Sequence, residues 1–328
     1  MRRREFIAAL GGALVLPWRA GAQQPSSIRR VGILFAQATE DDFEYESRIS
    51  ALSQALRGFG WTEGSNLKLS VHRVAPSASE IQKHIAELLA ENPDVIVTGG
   101  GTTTGPLLQA TSNIPVVFTV AVDPVGNGFV DSLSHPGRNA TGMMQFEYSL
   151  AGKWLELLKE IAPATRRVGI VRDATTPSGI GQFAVLQSVS STFHFDIFPI
   201  GTRDAVEIEN GIAKLGAENA GLVATIGAGV NAHRDHIIRL VDRYRLPAVY
   251  ANRAFVDRGG LVSYGSDTVA SSRRAAAYVD RILRGEKPAD LPVQAPNKYE
   301  LVVNLKAAKF IGVDPPTTLI ASADEVIE

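Results

Sequence analysis

The run RVGILFA at 30–36 is answered in the second half of the chain by RVGIVR at 167–172. Each is short, apolar and rich in β-branched residues, and each is followed by a segment of helical periodicity, so each reads as the opening strand of a βα series. Working outward from the first copy, 45–58 carries Leu52, Ala55, Leu56 and Phe59 on one helical face, and LKLSVHRV (67–74) alternates as a strand. Residues 77–92 read as a helix with Ser79 as N-cap and Ile81, Ile85, Leu88 and Leu89 as its stripe. DVIVT (94–98) is a buried-type strand, 99–105 turns into a short helix, and PVVFTV (115–120) is the next strand. From the second copy the pattern restarts, with helices at 150–161, 179–192, 205–215 and 232–244 and strands at 195–200, 222–226 and 247–250. The tail adds strands at 261–266 and 301–304 and helices at 269–283 and 306–311. Strands separated by helices imply parallel sheets covered on both faces. The expected fold class is α/β: two similar lobes with parallel sheets, linked by several crossing strands that make a hinge. The expected boundaries are 28–144 plus 267–285 for the N-terminal lobe and 145–266 plus 286–328 for the C-terminal lobe.

The first residues belong to neither lobe. MRRREFIAALGGALVLPWRAGAQQ has a basic start, an apolar stretch from Phe6 to Leu16, a break at Pro17 and small residues at Ala20-Gly21-Ala22. This is the pattern of an export signal over 1–22, twin-arginine-like or Sec, and the apolar stretch is too short for a membrane span. The expected location is the periplasm. Residues 1–22 carry four arginines and one glutamate, so the formal charge goes from −1 for the chain to −4 for the rest. That is a poor charge for binding nucleic acid or an anionic membrane. With no cysteine in the chain, disulfides, thiolate metal sites, a cysteine nucleophile and a lipid-anchoring cysteine are all excluded.

VAVDPVGNGFV (120–130), FVDRGGLVSYGSD (255–267), LPVQAPNKYELVVNLKAAKFIG (291–312) and TGGGTTT (98–104), together with the signal, resemble the TrpX-like group of ABC transporter substrate-binding proteins. The resemblance implies a type I periplasmic binding fold: two Rossmann-like lobes joined by a three-strand hinge, with three crossovers and a ligand in the cleft. Group members with known ligands are associated with aromatic or other small amino acids. An ABC permease in the inner membrane and its ATPase are the implied partners. RDATTPSG (172–179) departs from the group, which more usually has an Asn-Pro type segment there.

In parallel α/β sheets ligands sit at the carboxyl ends of strands. That rule selects Phe35 and Gln37 after the first strand, and Thr98, Gly99, Gly100, Thr102 and Thr103 after the third. Glycines there let backbone approach a ligand, and the next helix offers free N–H groups to a carboxylate; the bland alternative is tight strand-to-helix packing. Gly99, Gly101 and Gly105 also imitate a dinucleotide fingerprint, but they follow the third strand and not the first. Asp123 is placed either to hold a ligand ammonium or to cap the turn at Pro124 and Gly126. Asp267 reads as a ligand group or as the N-cap of the following helix. Phe35, Tyr250 and Tyr264 form either aromatic cleft walls or core. Thr225 and Gly227 end a strand of the second lobe. Arg253 is the favoured cation for a carboxylate, with an ion pair between lobes as the alternative.

Catalytic motifs of the GxSxG, HExxH and P-loop types do not occur. His233 and His236, beside Asp235, have metal-compatible spacing but read more simply as a polar helix face, and His72, His84, His135 and His194 are scattered in sequence. The expectation is a monomeric solute-binding protein with no catalytic residue, cofactor or metal. A ligand-sensing module for a membrane receptor shares all the features of the lobes. A periplasmic α/β enzyme would need a nucleophile–base pair, and a repressor would need a helix-turn-helix where this chain has its export signal.

Overall fold

The structure is a computed structural model that describes residues 28–36, 43–75, 77–216 and 219–328. The expected export signal and Gln37 lie outside the described residues. The first lobe is built from β1 (Arg29–Ala36), α1 (Phe43–Gly58), β2 (Leu67–Val74), α2 (Ala78–Ala90), β3 (Val95–Thr98), α3 (Gly101–Ala110), β4 (Val116–Val122) and β5 (Ala140–Phe146). Its sheet is all parallel in the order β2-β1-β3-β4-β5. Every residue of β3, β4 and β5 is buried, as helix-covered central strands require. α2 buries Ile81, Ile85 and Leu88 and is capped by Ser77, whose Oγ accepts from Glu80 N at 3.4 Å. The cap therefore falls two positions earlier than the Ser79 expected from sequence.

The second lobe contains α4 (Gly152–Ile161), β6 (Arg167–Val171), α5 (Pro177–Val189), β7 (Asp196–Ile200), α6 (Ala205–Ala213), β8 (Ala220–Ala224), α7 (Ala228–Ala232), α8 (Arg234–Tyr244), β9 (Ala248–Tyr250), α9 (Arg253–Val256) and β10 (Val262–Ser266). The chain then returns to the first lobe as α10 (Thr268–Leu283), whose Ala275, Ala276 and Val279 join the core formed by β1, α1 and β3. It ends in the second lobe with β11 (Tyr299–Asn304), α11 (Leu305–Ile311), α12 (Thr317–Ser322) and β12 (Glu325–Ile327). The second sheet runs β12-β11-β10-β9-β8-β6-β7. Only the β10–β11 pair is antiparallel, with Ser266 opposite Tyr299. The reason is topological: the chain leaves β10 at the junction of the lobes and re-enters β11 at the same junction, so the two strands must run in opposite directions.

The last crossing comes later than the boundary expected at 286. Leu291 and Val293 lie in first-lobe cores. Gln294 brackets β5, accepting from Met144 N at 2.8 Å and donating its own N–H to Gly142 O at 2.9 Å. The three crossings are held by aromatic rings. Phe146, at the end of β5, stacks on Trp154 of α4 at 4.7 Å, and Tyr264 of β10 stacks on Tyr299 of β11 at 5.7 Å. Trp154 Nε1 donates to Tyr264 O at 2.8 Å, and Phe146 meets Tyr299 edge-on. Among the described residues no helix is long and apolar enough to cross a membrane.

β5 and β12 have no counterpart in the sequence reading. In β5, ATGMMQF neither alternates nor is rich in β-branched residues. Its Gly142 has φ +150, and a Cβ there would lie 2.0 Å from Phe118 O. β4 and β5 thus approach at a point only glycine permits. Gly142→Ala should destabilise the protein by about 3 kcal/mol, read as a lower urea midpoint at unchanged m-value; a loss below about 1 kcal/mol would show that the two strands are not locked there.

Candidate functional site

A cleft of about 160 Å³ opens between the lobes. The first lobe reaches it through residues at or just beyond the carboxyl ends of β1, β3, β4 and β5, and the second through the segments after β6 and β8. Parallel strands followed by helices put those ends, and the amino ends of the next helices, on one side.

On the first-lobe wall, Gly99 to Thr103 form the turn into α3. Gly100 is the N-cap and brings no side chain to the helix end; a Cβ there would press to 3.3 Å from Val120 O. The loop's own hydroxyls set its shape. Thr98 Oγ1 and Thr103 Oγ1 are 2.8 Å apart, and Thr104 Oγ1 donates to Gly100 O at 3.0 Å. Behind the loop, Thr119 Oγ1 donates to Thr98 O at 3.2 Å and accepts from Arg48 Nη2 at 2.8 Å. The Arg48 guanidinium also lies over the Phe35 ring, 4.3 Å from its centroid. A side chain only 9% exposed is thus clamped between an aromatic face and a hydroxyl, beside Gly99. One helical turn before it on α1, Glu44 also lines the cleft. Its carboxylate accepts from Thr268 Oγ1 at 2.6 Å and from Asn252 Nδ2 at 3.1 Å, and Asn252 belongs to the second lobe.

The second-lobe wall is made by Thr176, Pro177 and Ser178 at the start of α5, and by Ile226, Gly227 and Ala228 after β8. Thr176 caps α5, accepting from Gly179 N at 3.2 Å. Gln182, fully buried, ties the two segments together: its Nε2 donates to Ile226 O at 2.8 Å and its Oε1 accepts from Ile226 N at 2.9 Å. Asp173 accepts from both Thr175 N and Thr175 Oγ1, at 3.0 and 2.6 Å. Of the segment RDATTPSG, Thr176, Pro177 and Ser178 thus reach the cleft. Burial pushes the Tyr45 hydroxyl, also at the cleft, up to about 12, so it stays protonated at physiological pH.

Of the residues singled out from sequence, Gly99, Gly100, Thr102, Thr103 and Gly227 come together on the cleft walls. Thr98 and Phe35 are fully buried just behind the wall. Thr225 turns its hydroxyl to Val171 O at 3.0 Å. Asp123, at φ +47, accepts from Gly126 N at 2.8 Å and caps the turn. Asp267 caps α10 through Val269 N and Ala270 N, both at 2.8 Å, and lines a separate pocket with Arg253. Tyr250 is core, stacked on Phe255, and Tyr264 belongs to the aromatic packing at the crossings. Arg253 is paired at 2.6 and 2.9 Å with Glu325, a residue of the same lobe, so it is neither a cation of the main cleft nor an ion pair between lobes. His233 precedes α8 as its N-cap, and His236 Nε2 faces Ala205 O at 3.3 Å, so the two do not converge on a metal position. Sequence reasoning missed Glu44, Arg48 and Thr176–Ser178. The available signal was Arg48 itself, a lone cation on the buried face of α1 with Tyr45 and Leu52.

Residues 35–327 match the family of ABC transporter substrate binding proteins. A curated relative, a tyrosine-binding protein of Clostridioides difficile (strain R20291), is 22% identical over 258 residues, covering 79% of this chain and 74% of the relative. A conserved domain protein from Vibrio cholerae superposes with a TM-score of 0.85 at 25% identity, over 92% of this chain and 100% of that one. An ABC domain from Streptococcus pneumonia, solved in complex with L-Trp, superposes with a TM-score of 0.84 at 20% identity over the same shares. Two-lobed type I periplasmic binding architecture, as the resemblance implied, is what these structures share with it. With the match running through both lobes and all three crossings, the chain belongs to the ABC transporter substrate-binding protein family.

Proposed function

We propose that this protein is the periplasmic solute-capturing component of an ABC importer and that its ligand is a small α-amino acid, aromatic ones included, or a closely related carboxylate. The observation that carries the reading is the placement of Glu44 and Arg48 one turn apart on α1, both on the cleft. An amino acid is a zwitterion. Its carboxylate is matched by the Arg48 guanidinium and the amino end of α3, where backbone N–H groups and the helix dipole favour an anion. Its ammonium is matched by Glu44. A sugar would need neither charge. The tyrosine-binding and L-Trp-bound relatives support the same class.

Ligand held by the first-lobe wall is touched from the other side by Thr176–Ser178 and Gly227. A ligand that bonds to both lobes binds the closed form better than the open one and so shifts the population toward closure. The closed form, a monomer, is then the species that docks on the permease. Glu44 joins the lobes through Asn252, so ligand at Glu44 sits beside a contact that depends on the lobe angle. Hinge, capture and docking together make a transport component with no catalytic step.

A thermal-shift screen against amino acids, aromatic acids, sugars and nucleosides tests the ligand class. Amino acids or closely related carboxylates should raise the melting temperature while sugars and nucleosides do not; at one hundred times Kd the gain is about 2.7 kcal/mol. A shift confined to sugars or nucleosides would contradict the reading, and turnover of the compound that shifts would replace it with an enzyme. Arg48→Met should weaken amino-acid binding by about 10- to 150-fold, the loss of a charged hydrogen bond in a buried setting, with the circular dichroism spectrum unchanged. Arg253→Ala, in contrast, should leave affinity within about twofold and remove only two exposed ion pairs, to Glu325 and Asp257, each worth up to about 1 kcal/mol.

A further inference from the structure

Two histidines that stand apart in sequence meet once the chain folds. His72 lies on β2 and His84 on α2, and their Nδ1 atoms are 3.1 Å apart. Glu87, three residues along α2, brings Oε2 to 3.5 Å from His84 Nδ1. One ligand atom from each of the three lies within 4.8 Å of the other two. Two nitrogens on one tetrahedral zinc at about 2.0–2.1 Å stand about 3.3 Å apart, and a carboxylate oxygen stands at a similar distance from each. The His72–His84 and His84–Glu87 spacings, 3.1 and 3.5 Å, are close to two edges of such a tetrahedron, and the third pair is within 4.8 Å.

The surroundings are those of a metal site as well. A ligating imidazole is normally oriented by a carboxylate on its other nitrogen. His72 Nε2 is 3.2 Å from Glu91 Oε1, and Glu91 is itself fixed by a hydrogen bond from the Ser70 hydroxyl. His84 Nε2 faces Glu80 Oε2 at 3.9 Å. With Nε2–H of His72 donating to Glu91, the Nδ1 lone pair of His72 points at His84. The His72 and His84 side chains are 12% and 23% exposed, so an ion can enter while the ligands stay held.

We propose that His72, His84 and Glu87 form a binding site for one divalent transition-metal ion, with Zn²⁺ the best fit and the fourth corner open. Two imidazoles and one carboxylate suit Zn²⁺, and also Cu²⁺ or Ni²⁺, better than Mg²⁺ or Ca²⁺, which prefer all-oxygen shells. In the metal-free protein one Nδ1–H bonds to the other Nδ1. The ion takes the place of that proton, which moves to Nε2 of His84 on the side of Glu80. Neither histidine lines the cleft, and β2 is an edge strand of its sheet. The ion therefore ties the sheet edge to α2, and its effect falls on stability rather than on amino-acid affinity.

The test is calorimetric titration of the untagged, chelator-treated protein with ZnCl₂ near neutral pH, with Co²⁺ as a spectroscopic probe. The proposal expects one equivalent of Zn²⁺ per chain, a rise in melting temperature, and the strong visible absorption of tetrahedral Co²⁺. His72→Ala and His84→Ala should each weaken Zn²⁺ at least about 10-fold, and Glu91→Gln, which removes only an orienting partner, by about 10- to 100-fold. His233→Ala should change nothing. No saturable uptake by the wild-type protein, or uptake unchanged in the His72→Ala/His84→Ala double variant, would overturn it. Should that double variant fail to fold, Co²⁺ bound to the wild-type protein with only the weak spectrum of an octahedral ion would overturn it equally.

Discussion

The face-to-face contact of Phe146 with Trp154, 4.7 Å between ring centres, is the joint on which the two-lobed architecture depends. Phe146 is the last residue of the first sheet and Trp154 lies in the first turn of α4 in the second lobe. The Trp154 indole N–H, by bonding to Tyr264 O, brings the end of β10 to the same place, and Tyr299 brings the start of β11. All three crossings of the chain thus share one aromatic cluster. Such rings bury large areas and add about 0.5–1.5 kcal/mol per pair beyond burial. The joint holds the lobes face to face where the three crossings meet.

From that joint the rest follows by strand direction. In each lobe the parallel strands point their carboxyl ends toward the cleft, and the following helices start there. On the first-lobe side the glycines of the β3–α3 turn clear the surface, Thr98, Thr103 and Thr104 fix the turn, and Thr119 carries Arg48 up to it. On the second-lobe side Gln182 performs the matching task, pairing with both backbone groups of Ile226 so that two neighbouring segments present one wall. A buried polar group of this kind stabilises only when its partners are complete. Gln182 meets that condition, so the wall it supports is held by the chain's own hydrogen bonds.

Much of the architecture was legible in the sequence because it rests on local patterns. The apolar runs at β1, β3 and β6, the stripe on α2 and the glycines at 99–101 each announce themselves within a few residues. β5 did not, because a strand whose glycine is demanded by a neighbouring backbone, with Phe118 O only 2.0 Å from where a Cβ would stand, looks locally like a loop. The antiparallel β11 and the late crossing after Gln294 also depend on where the chain has travelled, which no window of sequence records. For the site, strand-end logic found the Gly99–Thr103 wall and Gly227. It failed for Tyr250, Tyr264 and Arg253, whose side-chain directions are decided by Phe255, Tyr299 and Glu325 from other elements. It also passed over Arg48, since the clamp between Phe35 and Thr119 that makes this cation useful joins three separate elements. His72 and His84 illustrate the same limit, one on a strand and one on a helix, adjacent only through packing.

The central claim is that one ligand is gripped from both lobes at once. Hydrogen–deuterium exchange with and without a saturating amino acid measures this most directly, since it reports each wall separately. The account predicts that added ligand slows exchange together in peptides covering 98–104 on the first lobe and 174–182 and 226–231 on the second. Slowing confined to one lobe, or protection away from both walls, would contradict it.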